Sequence, residues 1–183
     1  MTVENSNLKD CFIIHPRVFE DDRGYFYESY NKQGFKKKTG LDIDFVQDNQ
    51  SQSSKGVLRG LHFQVGDYEQ AKLVRVIKGS VLDVCVDLRE NSETYLKHFT
   101  LILSEENKKQ LFIPRGFAHG FLVLEDNTIF SYKCDNYYHK ESERGIIYND
   151  PDLAIDWRFE NSQLLISDKD KVLPSLQKYQ KQR

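Results

Sequence analysis

Gly56-Val57-Leu58-Arg59-Gly60-Leu61-His62-Phe63-Gln64 places Arg59 and His62 three residues apart in an apolar run punctuated by glycines. Val57 to Gln64 reads as a strand, and polar or charged side chains in such a run are costly to bury unless they are paired or used. A strand histidine is more often a hydrogen-bonded packing residue than a base, and an arginine beside glycine is more often a surface ion-pair partner. Taken alone, the stretch leaves both readings open.

Outward from it, short apolar runs recur at close spacing. Asp42 to Gln50 is strand-like and is separated from Val57 by the polar turn region Ser51 to Lys55. Beyond it, Leu73 to Ile77 and Val81 to Leu88 flank Lys78-Gly79-Ser80. In the second run Leu82, Val84, Val86 and Leu88 share a face opposite Val81, Asp83, Cys85 and Asp87, which predicts a hairpin. Leu96 to Leu103, Gln110 to Ile113, Gly120 to Leu124 and Thr128 to Cys134 continue the series.

Toward the N-terminus, Cys11 to His15 and Tyr25 to Tyr30 are further strands, the second entered through the turn Asp21-Asp22-Arg23-Gly24. Asn31 to Thr39 can make about two helical turns, stopped by Gly40, with Lys36, Lys37 and Lys38 near the negative end of the helix dipole. The pattern loosens after Asp150-Pro151, and Pro174 to Gln180 predicts a terminal helix. Many short strands and few helices indicate an all-β sandwich or barrel. With no repeat or linker in view, residues 1–183 read as one domain.

Composition excludes several classes. Lys plus Arg number 26 against 28 Asp plus Glu, a formal net charge of -2 that gives no overall attraction to nucleic acid or an anionic membrane. The three cysteines, Cys11, Cys85 and Cys134, are odd in number and widely spaced, which argues against a disulfide framework or zinc knuckle. No apolar stretch approaches the ~20 residues of a membrane span. A cytoplasmic protein is expected. The 12 Phe and 10 Tyr suit strands and a flat-walled pocket.

Pro114-Arg115-Gly116-Phe117-Ala118-His119-Gly120-Phe121 follows one strand and enters another. It resembles the second motif of the cupin double-stranded β-helix, a jelly-roll barrel in which this histidine points inward. The first cupin motif supplies a His-x-His pair and a downstream Glu as metal ligands, whereas here His62 is followed by Phe63-Gln64. Two histidines fall short of the three or four donors a metal site needs, so no metal is expected and acid–base chemistry or ligand binding remains.

The resemblance then narrows. Val57 to Gln64, Gln70-Ala71-Lys72-Leu73-Val74-Arg75-Val76, Pro114 to Phe121, Tyr132-Lys133-Cys134-Asp135 and Ser167-Asp168-Lys169-Asp170 are similar, in order, to the motifs of the dTDP-4-dehydrorhamnose 3,5-epimerase family. The match runs from about Arg23 to Asp170. It implies a cupin-type barrel with a few short helices, no cofactor, and inversion of carbons 3 and 5 of a dTDP-linked 4-keto-6-deoxy sugar. Such an inversion takes a base, an oxyanion stabiliser and an acid.

By resemblance, His62 is the base with Asp170 as its carboxylate partner, Lys72 the oxyanion stabiliser and Tyr132 the acid. Arg23, Arg59 and Lys169 match phosphate and nucleotide contacts. Glu28, Gln47 and Asn49 match nucleotide contacts, His119 and Glu143 further ligand-binding positions, and Tyr138 a stacking or wall residue. The family's N-terminal strands cross to a second subunit, which implies a homodimer with Arg23 and Glu28 acting in trans. Val65 to Glu69 lacks the Pro-Pro of many members but keeps the spacing from His62 to Lys72, implying a rebuilt loop. A single-site epimerase of a related keto sugar, a metal-dependent cupin oxygenase and a non-catalytic sugar-nucleotide binding module remain as alternatives.

Overall fold

The computed structural model describes residues 1–181. Its N-terminal part contains β1 (Thr2–Asn5), β2 (Phe12–His15), β3 (Phe19–Asp21), β4 (Gly24–Phe26), α1 (Lys32–Thr39), β5 (Gln47–Ser53) and β6 (Val57–Gln64). The middle adds β7 (Lys72–Lys78), β8 (Ser80–Asp87), β9 (His98–Ser104), β10 (Gln110–Ile113), β11 (Phe117–Val123) and β12 (Thr128–Cys134). The C-terminal part adds β13 (Glu143–Gly145), β14 (Leu165–Ile166), α2 (Asp168–Lys171) and α3 (Leu176–Lys181).

Two six-membered layers face each other as a jelly roll. One has the order β1-β2-β10-β7-β12-β5; the other runs β13-β6-β11-β8-β9, with β14 joining β6 in parallel. Between them lies a core that includes Val74, Val81, Leu111, Phe121 and Phe130. The outer face of the second sheet is covered by the C-terminal segment, with Leu58, Leu61, Val84 and Leu122 packed against Leu153, Trp157 and Leu176. The outer face of the first carries α1 through Phe35, joined by Leu73, Phe112 and Phe45.

The alternation in Val81 to Leu88 therefore has a different cause from the one the sequence suggested. β7 and β8 are not a hairpin: β7 pairs with β10 and β12, whereas β8 pairs with β9 and β11. At Gly79 (φ 76°) the chain crosses from one layer to the other. All eight residues of β8 are buried, one set between the sheets and the other beneath the C-terminal cover.

Other boundaries shift for local reasons. Residues 41–46 place Leu41, Ile43 and Phe45 on the cluster around Phe35 rather than in a ladder. The polar Ser51 and Ser53 are instead strand residues, paired with Phe130 and Thr128. The strand expected over Tyr25 to Tyr30 stops at Phe26. Beyond it, Tyr27 accepts a hydrogen bond from Arg75 (3.0 Å) and the Ser29 carbonyl one from Gln110 (2.7 Å). The first helix forms as expected, with the Asn31 side chain accepting from Gly34 N–H and Gly40 (φ 77°) closing it.

The feature that sets the site is a bulge in β6. His62 lies opposite His119 and Arg59 opposite Phe121, so Gly60 and Leu61 together face the single residue Gly120. Strict alternation would send residues three apart to opposite faces; the extra residue returns both Arg59 and His62 to the interior, while Leu61 turns outward. Gly60 has φ 112°, and a Cβ there would lie 2.7 Å from Gly120 Cα and from the His119 carbonyl oxygen. Gly60→Ala is expected to lower stability by about 3 kcal/mol, read as a fall in the urea midpoint at unchanged slope; an unchanged midpoint would contradict this close crossing.

Candidate active site

A cavity of about 700 Å³ opens between the sheets. The structure brings together eleven of the thirteen residues singled out in the sequence. Arg59 and His62 come from β6, Lys72 from β7, His119 from β11 and Tyr132 from β12. Gln47 and Asn49 on β5, Tyr138 and Glu143 near β13, and Lys169 and Asp170 on α2 complete the set. Arg23 and Glu28 are not among the lining residues. The Arg23 side chain is 90% exposed on the β3–β4 hairpin and bound to Asp21, and Glu28 accepts from Asn31.

His62 Nε2 lies 2.7 Å from Asp170 Oδ1, while Asp170 Oδ2 accepts the Gly60 N–H at 3.3 Å. One carboxylate thus holds both the imidazole and the polar backbone group of the bulge. Asp170 itself is fixed by a short helix that starts at Ser167, whose hydroxyl accepts from the Asp170 N–H (3.1 Å). Burial acts to raise the Asp170 carboxyl, but hydrogen bonds from His62, Gly60 and Ser167 and the His62 charge outweigh it and hold the group below its ordinary value.

Facing His62 across the β6–β11 ladder, His119 Nε2 is 2.9 Å from Asp83 Oδ2. Asp83 is wholly buried, and its other oxygen has no hydrogen-bond partner among the described residues. Sequence reading passed over Asp83 as a partner for His119, although a carboxylate in the middle of an apolar alternating run is the signal that could have found it. It also missed Ser53, which accepts from the Arg59 guanidinium at 3.2 Å.

Lys72 and Tyr132 share a wall, the ammonium 6.0 Å from the centre of the ring. Burial pushes the Lys72 amine below the usual lysine value, against the opposing pull of Cys134, Asp83 and Glu143. Burial likewise pushes the Tyr132 phenol upward, so it keeps its proton across neutral pH. The Cys134 thiol is raised to about 11 by burial and stays neutral beside them. Phe121 and Phe130 stack at 4.1 Å to form an aromatic floor, with Tyr132 beyond Phe130.

At the mouth, Glu143 accepts from Lys169 (2.7 Å) and from the Tyr138 hydroxyl (2.9 Å). Burial acts to raise the Glu143 carboxyl, but these two bonds and the charges of Lys169 and His62 bring it below the usual carboxylate value. Gln47 donates to Asn49 (3.1 Å) and accepts from the Tyr138 N–H (3.0 Å). Chemically, the arrangement offers an imidazole–carboxylate base, a cation, a phenolic acid and a rim of basic and amide groups. Among the described residues no three His, Cys, Asp or Glu side chains converge as a metal-ligand set.

A sequence profile of the dTDP-4-dehydrorhamnose 3,5-epimerase family matches residues 5–178. A protein of that description from Escherichia coli is 54% identical over 176 residues, covering 96% of this chain and 95% of its own. A crystal structure of a dTDP-4-dehydrorhamnose 3,5-epimerase from Elizabethkingia anophelis superposes with a TM-score of 0.94 at 56% identity, covering 97% of both chains. A dTDP-6-deoxy-D-glucose-3,5-epimerase from Legionella pneumophila, solved with dTDP-4-keto-L-rhamnose, gives 0.92 at 47% identity, covering 96% of this chain and 93% of its own.

The depressed Asp170 carboxyl has a consequence for acid stability. Below its ordinary value of 3.8 the unfolded chain binds this proton more readily than the folded one, so folding is favoured above that range and the contribution is lost as pH falls through the lowered folded value. Asp170→Asn is therefore expected to flatten the decline of unfolding free energy below about pH 4, measured by urea titration across pH. A decline as steep as that of the wild type would show that Asp170 does not carry it.

Proposed function

This chain belongs to the dTDP-4-dehydrorhamnose 3,5-epimerase family, and from that premise we propose how its own residues perform the reaction. The substrate is dTDP-4-dehydro-6-deoxy-D-glucose and the product dTDP-4-dehydro-L-rhamnose, formed by inversion at carbons 3 and 5. The observation that carries the assignment of roles is the His62–Asp170 pair at 2.7 Å, set in one cavity with Lys72 and Tyr132.

His62 removes the proton from the carbon beside the 4-keto group, and its electron pair passes into the carbonyl to make an enolate. Asp170 orients the ring and stabilises the imidazolium that forms. The Lys72 ammonium meets the charge developing on oxygen, and the low-polarity surroundings that lower its pKa also make its charge effective. Tyr132, which holds its proton, delivers it to carbon 5 from the opposite face, carbon 3 takes its proton from solvent on the face opposite His62, and each enolate collapses back to the ketone. The base, the oxyanion stabiliser and the carbon-5 acid are all side chains, so we propose a mechanism without cofactor or metal.

The diphosphate is held by Arg59 and Lys169 within the cavity, with Gln47, Asn49, His119 and Glu143 contacting the remaining polar groups and Tyr138 walling the nucleotide. We further propose a homodimer in which Arg23 and Glu28 of the β3–β4 region reach a second copy's site. Their absence from the lining of this chain's own cavity and the exposed Phe19, Tyr25 and Phe26 beside them support that reading. The reading is completed by a single working domain over residues 1–183 and a cytoplasmic location. No helix among the described residues is long and apolar enough to cross a membrane.

NMR of the substrate with protein in heavy water tests the chemistry. The wild type is expected to exchange at carbons 3 and 5 and yield the rhamnose configuration; exchange at one carbon alone would make it a single-site epimerase, and none would refute the activity. His62→Asn is expected to reduce exchange by about 10²-fold or more while leaving dTDP binding in place. Tyr132→Phe should impair inversion at carbon 5 more than exchange at carbon 3, and equal loss at both would remove Tyr132 as that acid.

The trans arrangement has its own test. When His62→Asn and Arg23→Ala proteins, each impaired alone, are unfolded together and refolded as a mixture, activity should exceed the sum of the parents, because a mixed dimer has one site with both native residues. No recovery, in a mixture shown by mass spectrometry to contain mixed dimers, would place Arg23 outside its partner's site.

A further inference from the structure

The loop of residues 135–139 carries Tyr138 to the cavity mouth, and its tethering goes well beyond what the chemistry uses. Tyr138 is 52% exposed, so beyond its hydroxyl's bond to Glu143 little packing fixes its ring. Yet every residue of the loop is tied to β5, β6 or the short segment 66–71. The Ala71 N–H donates to Asp135 (2.7 Å), and Asn136 donates to the Asp67 carbonyl (2.8 Å) while its own carbonyl accepts from Gln70 (2.8 Å).

Gln64 lies at the centre of this network. Its Nε2 donates to the carbonyls of Tyr68 (2.9 Å) and Tyr137 (3.3 Å), and its Oε1 accepts from the His139 N–H (2.7 Å). Three hydrogen bonds from one side chain, 6% exposed, join the two loops across the strand end. The His139 ring then lies flat on Tyr68, with centroids 3.9 Å apart and planes 9° from parallel, and its Nδ1 lies 3.0 Å from the Ser142 hydroxyl. Gln64 occupies the place, two residues after His62, where a metal-binding cupin carries its second histidine; here that inward position serves as a clamp between loops.

We infer that Gln64 and the Tyr68–His139 stack are positioning residues that hold Tyr138 as a preformed wall for the nucleotide. The inference rests on the functional reading above, in which Tyr138 faces the nucleotide. A half-exposed ring on a loose backbone would be ordered only on binding, at a cost in affinity, and the clamp meets that cost during folding. Gln64 and the stack therefore act on binding and leave proton transfer at His62, Lys72 and Tyr132 untouched.

His139→Ala in the full-length protein is expected to weaken dTDP binding, read by calorimetry, by up to about tenfold, the worth of one aromatic stack. KM should rise in parallel while kcat stays within about twofold. His139→Phe, which keeps a flat ring over Tyr68, should restore binding to within about twofold of the wild type. Tyr68→Ala, a change in an exposed loop, should reproduce the His139→Ala result and serves where that variant folds poorly.

Adding His139→Ala to Tyr138→Ala should cost no further affinity, because a residue that acts through Tyr138 has nothing left to position. Unchanged dTDP affinity in both single variants, failure of Phe to rescue, or an additive loss in the double variant would each overturn the inference. Those outcomes in a wild type that binds dTDP and exchanges protons leave the functional reading standing; a wild type that does neither overturns both.

Discussion

The carboxylate of Asp170 is the contact on which the site depends, because its two oxygens join a backbone irregularity to the His62 imidazole. One accepts the Gly60 N–H and the other pairs with His62, so the bulge in β6 and the orientation of the imidazole are held by a single group. A bulge leaves ladder groups without their regular partners, and buried polar groups need a substitute. Here the substitute comes from a residue 110 positions away in the chain, on a short helix capped by Ser167. Burial disfavours the charge of Asp170, and its hydrogen bonds recover more than that cost.

From that contact the geometry spreads across the barrel. The bulge faces Gly120, where the strands approach so closely that a Cβ on Gly120 would meet the Arg59 carbonyl oxygen at 2.7 Å. It turns Arg59 inward on the same side as His62 and sets His62 opposite His119, each histidine with its own buried carboxylate. The remaining interior splits by chemistry: an apolar core with the Phe121–Phe130 stack below, and charged or hydroxyl-bearing side chains toward the mouth. Lowered solvent access strengthens the electrostatic interactions available there, which suits the enolate of the proposed mechanism.

Two layers of apolar cover make such an interior tenable. β8 is buried on both faces because the C-terminal segment, anchored by Leu153, Trp157 and Leu176, closes the outside of its sheet. α1 and the aromatic group around Phe35 do the same for the other sheet. Asp83 can then lie fully buried against His119 in the middle of β8.

Much of this was legible in the residues themselves. The extents of β6, β10 and β12, the first helix with its Asn31 and Gly40 caps, and the all-β class follow from local propensity, turn chemistry and spacing, which the chain carries within short windows. Seven candidate residues lie in the motifs that keep their order and four more were matched by resemblance outside them, and all eleven line one cavity. Tertiary structure alone decided the rest. It made Lys78-Gly79-Ser80 a crossing between sheets instead of a hairpin, because two-sided burial needs two covering layers. It faced Arg59 and His62 the same way through a bulge that no alternation pattern records, and it paired His119 with Asp83 and His62 with Asp170 across long stretches of chain. Spacing fixes what neighbours along the chain do; which distant carboxylate satisfies which imidazole is settled only when burial leaves each one without water.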